Sequence, residues 1–219
     1  MRKGTIYLIV TALLLTLVGC SGNSGFRTGG KRGLQDSLYT EEAAMSIHQS
    51  KPERAMVMID SAVIVGNITW LRGEYLKAIT QYGGLSNLHL SRQTCLNLLD
   101  DVFKQPGKYL QSYADSLTIE QIYLLLTSLE FTSGKYSDVV RYATEASRLA
   151  HALDMPEEVA KMEGYIAYVM TETGKTDEGI ERLRATIDAL RNTDNFQASG
   201  FAGLNALQYG NQIFLLLFA

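Results

Sequence analysis

The chain of 219 residues contains only three prolines, three histidines, two cysteines and one tryptophan. So few prolines, together with long stretches of periodic apolar residues, favour an all-helical chain. The histidines His48, His89 and His151 stand apart and lack the spacing to carboxylates or cysteines that a metal site requires. The sequence shows no phosphate-binding glycine loop and no catalytic constellation. We therefore expect neither an enzyme nor a bound cofactor or metal.

Positive charge is also in short supply. Without Arg2 and Lys3, which belong to the leader described next, 18 basic residues oppose 23 acidic ones. A nucleic-acid partner requires a concentrated basic face. The acidic balance therefore argues against nucleic acid as a partner.

One apolar run stands at the start of the chain. Residues 6–18 follow the basic pair Arg2 and Lys3, and the run closes with Gly19 and Cys20. At about 13 residues it is too short to span a membrane, which takes about 20. The sequence Leu-Val-Gly-Cys at 17–20 resembles the lipobox of bacterial lipoproteins. That resemblance implies diacylglycerol on the Cys20 thiol, cleavage before Cys20 and acylation of the new amine.

The lipobox sets the expected location and the first boundaries. We expect a signal peptide at residues 1–19 and a lipidated cysteine with a flexible Gly/Ser-rich tether at residues 20–36. Ser21 rather than aspartate follows the cysteine, and the tether lacks an acidic run. Both features favour an outer-membrane anchor that faces the periplasm. Since the lipid occupies Cys20, Cys95 has no disulfide partner within the mature chain, and we expect it to be a buried apolar residue.

A helical period begins at Ser37. Apolar residues recur every three or four positions, which predicts amphipathic helices over residues 37–192. We expect helix starts with capping boxes at residues 50–53 and 118–121, and an acidic variant at residues 154–157. Gly134 and Gly174 lie 40 residues apart, and each separates an apolar helix from an amphipathic one. This spacing indicates an internal repeat of helix hairpins.

These hairpins resemble the tetratricopeptide repeat superfamily. The matching positions around the first glycine are Tyr123, Leu126, Thr127, Gly134, Tyr136, Val139, Ala143 and Ala146, and those around the second are Ile166, Ala167, Gly174, Gly179 and Leu183. The spacing of 40 exceeds the usual value of about 34, so the repeats are divergent. The resemblance covers roughly residues 37–192 and implies a right-handed α-solenoid of stacked antiparallel hairpins.

A second resemblance concerns the whole arrangement. A lipobox, a short tether and the sequence Lys-Pro-Glu-Arg-Ala at residues 51–55 resemble the helical-repeat sensor regions that precede a membrane span and a histidine kinase or regulator in gut-type Gram-negative bacteria. No output module is present in the sequence. Residues 193–219 contain the apolar run Ile213–Phe218. We expect this part to be a last helix, the start of a membrane span or a truncated continuation.

The leading functional hypothesis is a non-catalytic scaffold that binds a protein or peptide. In tetratricopeptide repeats the first helix of each pair lines the concave side. Carried over by motif position, the candidate binding residues are Gln121, Leu124, Ser128 and Phe131, and then Lys161, Gly164, Tyr168 and Thr171. Phe131 and Tyr168 are the expected anchors. The alternative is that their rings only pack between repeats.

Two other functions stay open at this point. One is a sensor region of a signal-transduction receptor. The other is a glycan-capturing surface lipoprotein, for which Trp70 is the only indole platform.

Overall fold

The computed structural model describes residues 39–191, and all regular structure in this range is helical. The helices of the described range are α1 (Glu41–Met45), α2 (Pro52–Ile64), α3 (Trp70–Gly83), α4 (Leu88–Lys104), α5 (Pro106–Tyr109), α6 (Tyr113–Thr132), α7 (Tyr136–Ala152), α8 (Pro156–Glu172) and α9 (Thr176–Arg191). The predicted all-α class is confirmed. None of these helices is both long enough and apolar enough to cross a membrane. The predicted signal peptide, Cys20, the tether and residues 193–219 lie outside the described residues.

The chain forms two compact units that divide within α6, between Thr118 and Ile119. In the first unit α2 packs on α1, α3 on α2, and α4 on α3. In the second unit α7 packs on α8, and α8 packs on α9. Short turns join these neighbours, so the predicted construction from helix hairpins is also confirmed.

The turns at Gly134 and Gly174 have the same geometry. Both glycines have a positive φ, 71° and 86°, which a residue with a Cβ adopts only with strain. In each turn the next amide donates to the carbonyl five residues earlier, at 3.0 Å from Lys135 and 2.8 Å from Lys175. This is the hydrogen bond that closes a helix in a Schellman motif. The repeat in the sequence is therefore a repeat in the backbone.

The capping box predicted at residues 118–121 is wrong. Helix α6 begins at Tyr113, so Thr118 lies inside the helix and its hydroxyl donates to the Ala114 carbonyl at 2.8 Å. The residue before the first turn is Ser112, six residues earlier, and its hydroxyl caps the helix. The Asp115 amide donates to Ser112 Oγ at 3.2 Å, and Ser112 Oγ donates to Asp115 Oδ2 at 2.8 Å. Both segments fit the local pattern, and only the longer helix distinguishes them.

The boxes predicted at residues 50–53 and 154–157 are also wrong. The N-cap residues of α2 and α8 are Lys51 and Met155, and neither side chain makes a capping hydrogen bond. Ser50 instead donates back to the Ile47 carbonyl, and Asp154 occupies the left-handed region at φ 57°. Both helices do begin with a proline, whose missing N–H is not needed in the first turn.

Small residues let the helices of the second unit approach closely. Half of the buried residues of α7 are alanines, and larger side chains from α6 and α8 complete the core around them. The fully or almost fully buried residues of this core include Ile122, Leu126, Leu129, Val139, Ala143, Ala146, Ala150, Met162 and Ile166.

The first unit has its own core. It is built from Ile59, Leu71, Leu76, Cys95, Leu98 and Val102. Cys95 is a free and completely buried thiol, and burial raises its pKa to about 12. The prediction that Cys95 acts as a small apolar core residue is therefore confirmed.

At Gly84 the backbone approaches a neighbouring segment of the first unit closely. A Cβ added there would overlap the His48 carbonyl oxygen and lie 2.8 Å from Pro52 Cβ and 2.9 Å from the Thr80 carbonyl oxygen. Two of these three atoms belong to the backbone and cannot rotate away. The absence of a side chain at Gly84 thus allows the end of α3 to pack against the connection between α1 and α2.

We predict that Gly84→Ala lowers the free energy of unfolding by about 1–3 kcal/mol, because the added methyl group forces the backbone apart. The matched control is Gly164→Ala in α8, where an added Cβ meets nothing within 4 Å. This control should gain about 0.5–1 kcal/mol from helix propensity. Urea unfolding of the two variants measures both changes, and a gain in both would contradict the close approach at Gly84.

Candidate partner-binding face

In the second unit, the Phe131 ring of α6 contacts two tyrosine rings of α8. The ring centroids of Phe131 and Tyr168 are 5.0 Å apart with an interplanar angle of 63°. Those of Phe131 and Tyr165 are 5.3 Å apart at 74°. Both are edge-to-face pairs, a favourable arrangement for aromatic side chains. We call Phe131, Tyr165 and Tyr168 the aromatic cluster.

The three rings differ in exposure. Tyr165 is buried, and its hydroxyl lies 3.3 Å from Ser128 Oγ, within hydrogen-bond distance. Phe131 and Tyr168 are half-buried. These two rings therefore pack between the helices and also keep part of their surface accessible to a partner.

The other sequence-predicted residues divide in the same way. Leu124 and Ser128 are buried, so they contribute packing and leave no surface for a partner. Four other predicted residues are half-exposed, namely Gln121, Lys161, Gly164 and Thr171. The structure brings the two predicted anchors, Phe131 and Tyr168, into direct ring contact.

A buried acidic group lies on the same two helices. Glu120 of α6 is only 1% exposed, and neither of its carboxyl oxygens has a hydrogen-bond partner among the described residues. On α8, Lys161 Nζ donates to Glu158 Oε1 at 2.6 Å. The other carboxyl oxygen, Glu158 Oε2, is buried and has no hydrogen-bond partner among the described residues. We call Glu120, Glu158 and Lys161 the acidic cluster.

The surroundings of Glu120 favour its protonated form. Burial raises the pKa of Glu120 to about 8, the negative charge of Glu158 acts in the same direction, and Lys161 partly opposes the change. A neutral carboxyl group costs less to bury than a carboxylate. Glu120 is therefore mostly neutral at pH 7. The stability of the contact between α6 and α8 depends on whether Glu120 is protonated.

Sequence reasoning misses three members of these clusters. The local pattern places Glu120 in the capping box that the structure shows to be wrong. Glu158 stands in the first turn of α8, where an acidic residue is common because it interacts favourably with the helix dipole. The signal that could have found Tyr165 is its position three residues before Tyr168, on the same face of α8.

The single tryptophan lies in the first unit. Trp70 is 40% exposed, and its ring packs against Tyr109 with a centroid distance of 5.1 Å and an interplanar angle of 35°. Lys108 Nζ lies 4.5 Å from the centroid of the Tyr109 ring. The indole is thus already engaged in an intramolecular contact.

Metal-ligating side chains do not cluster in the described part of the chain. Over residues 39–191 no group of three His, Cys, Asp or Glu side chains is placed to hold a metal ion.

Comparisons with known proteins return little. No family model matches the chain, and no curated protein matches it. A solved structure described as MamA 41-end from Desulfovibrio magneticus RS-1 is similar to 74% of this chain and 98% of that chain, with 15% identity and a TM-score of 0.31. Similarity at this level assigns neither a family nor a function.

We predict that Glu120→Gln removes a pH dependence of stability. The pKa of Glu120 is about 8 in the folded protein against an ordinary value of 4.5, so the folded state binds more protons between these values. The contribution of this group to stability is complete at low pH and is lost as the pH rises through that window. Glu120→Gln should match the wild type near pH 4 and exceed it by about 3–5 kcal/mol at pH 8.5.

Urea unfolding at a series of pH values measures this difference. The matched control is Glu172→Gln, which alters an exposed glutamate of α8. The two variants should diverge as the pH rises. If stability changed with pH in the same way in both variants, Glu120 would not be the group whose protonation stabilises the fold.

Proposed function

We propose that this chain is a non-catalytic, lipid-anchored helical-repeat scaffold that binds a protein or peptide partner in the cell envelope. The observation that carries this proposal is the aromatic cluster, in which the half-exposed ring of Phe131 packs against half-exposed Tyr168 and against buried Tyr165. Aromatic side chains contribute strongly to contact energy at interfaces. Because neighbouring rings already restrict them, they lose little freedom when a partner binds.

Polar groups on the same helices supply a rim for this surface. Lys161 lies seven residues before Tyr168 on α8, which places both on one face about 10 Å apart. Its ammonium group is held by Glu158 and keeps partial exposure. An extended peptide of about three or four residues covers that distance. The surface from Lys161 to Tyr168 therefore fits a short partner segment with an apolar side chain at one end and a polar group at the other.

The envelope location is part of the same proposal. It is supported by the basic residues Arg2 and Lys3, the apolar run at 6–18 and the small residue before Cys20. The tether after Cys20 has a mean reach of about 20 Å. A lipid on Cys20 would hold the repeat domain close to the outer membrane on its periplasmic side.

A sensor region of a histidine kinase or regulator is the alternative form of this function. It would use the same anchor and the same binding face, and its support is the resemblance at residues 51–55. A membrane span and an output module encoded in frame beyond residue 219 would favour it, and an immediate stop codon would count against it. Glycan capture has less support, because the Trp70 ring is packed on Tyr109.

We predict that Phe131→Leu with Tyr168→Leu abolishes partner binding while the fold persists. Leucine keeps most of the apolar packing but removes the aromatic faces. A photo-crosslinking residue in place of Thr171, which is half-exposed three residues after Tyr168, should capture the partner in cells, and the double substitution should reduce that product by about tenfold or more. Phe103→Leu, which alters an exposed phenylalanine of α4, is the matched control and should leave the product unchanged.

Thermal unfolding of the same variants separates binding from stability. The double variant should melt within a few degrees of the wild type. Equal capture by the wild type and the double variant would contradict the role of the aromatic cluster. Loss of capture together with unfolding would show that the two rings serve the core.

We predict that Cys20 carries the lipid. Cells that express the chain should incorporate labelled palmitate into it, and Cys20→Ala should remove both the label and the association with membranes. Fractionation of the two forms measures this difference. Unchanged membrane retention of Cys20→Ala would contradict the lipid anchor but would not bear on the proposed partner-binding face.

A further inference from the structure

A groove lies in the second unit where the turn after α7 and the start of α8 face α9. Its volume is about 440 Å³. Half of the residues that line it are apolar, namely Met155, Pro156, Val159, Ala160 and Ala185. We call this feature the end groove.

The charged groups of the end groove do not oppose an apolar occupant. Glu163 and Arg182 form an ion pair with each other, so neither charge would be left alone on burial. His151 and Asp154 line the groove but are exposed residues that can stay in water.

Apolar surface beside the groove is also incompletely covered. Met155, Pro156, Val159 and Ala160 are half-exposed, and so are Ile180 and Leu183 on α9. In helical repeat proteins the last repeat needs a further segment to cover its apolar face. Within residues 39–191 no helix follows α9, and these apolar residues keep part of their surface exposed.

The chain itself contains a segment of matching chemistry. Residues 195–219 include no charged side chain, and Ile213–Phe218 is wholly apolar. Removing such side chains from water is favourable by about 25 cal/mol for each Å² buried.

The connection is also long enough. The groove residue Thr186 lies five residues before Arg191, the last residue of α9, which corresponds to about 8 Å along the helix. Residues 192–212 can span up to about 70 Å when extended. The chain therefore leaves α9 next to the groove and has ample length to return to it.

We propose that residues 213–218 dock in the end groove of the same chain and cover the second unit. This contact is separate from the partner-binding face, because the aromatic cluster does not line the groove.

Paired cysteines test this docking in the full chain with Cys20→Ser. Oxidation of Val159→Cys with Leu216→Cys should give a disulfide within one chain, at a rate that does not depend on protein concentration. Cys95 does not interfere, since it is buried and its pKa is raised to about 12. The control pair combines Leu216→Cys with Lys135→Cys, an exposed position outside the groove, and should react about tenfold more slowly.

Aspartate substitutions give a second readout. Val159→Asp and Leu216→Asp should each lower the melting temperature by about 5 °C. The double variant should lose clearly less melting temperature than the sum of the two single losses, because both substitutions break the same contact. Val57→Asp, at an exposed valine of α2, should add to Leu216→Asp without coupling.

Three results would overturn the proposal. The first is equal disulfide rates for the two cysteine pairs. The second is a product that forms only between chains, which would make a second copy the occupant. The third is loss of binding to phosphatidylcholine–phosphatidylglycerol vesicles in Leu216→Asp with an unchanged melting temperature, which would make the membrane the occupant.

Discussion

The contact between α6 and α8 is the interaction on which the second unit depends. At one end it joins Phe131 to Tyr165 and Tyr168 through edge-to-face contacts, and at the other it places Glu120 opposite Glu158 and Lys161. The apolar end stabilises the packing of the two helices. The acidic end costs stability whenever Glu120 is ionised, because a buried carboxylate without a hydrogen bond is unfavourable. Protonation of Glu120 removes this cost.

The same contact links stability to the candidate function. The two half-exposed rings can bind a partner only because α6 and α8 fix them in place. Lys161 belongs to the polar rim of the binding face and to the acidic cluster. A partner that draws Lys161 away from Glu158 would remove a positive charge that opposes protonation of Glu120. Partner binding and proton uptake at Glu120 are therefore expected to favour each other.

Much of the fold could be predicted from the sequence, for physical reasons. Helical periods reflect one buried face for each helix, and the glycines at 134 and 174 are required by a backbone turn with positive φ. The helix start predicted at residues 118–121 is wrong because a capping pattern of four residues occurs by chance inside a longer helix. The starts predicted at residues 50–53 and 154–157 do hold the first turns of α2 and α8, and only their capping hydrogen bonds are missing. The burial of Glu120 could not be predicted at all. It depends on which residues of α8 lie across from it, and local periodicity carries no information on that register.

Peptide selection on the purified protein, followed by hydrogen exchange with a selected peptide, tests the central claim most directly. The peptides come from a random library, so the natural partner does not have to be identified first. The selected peptides should share an apolar or aromatic residue, and their binding should slow exchange in α6 and α8 around Phe131 and Tyr168. Enrichment of no common sequence, or protection confined to other helices, would contradict the claim that this face binds a partner.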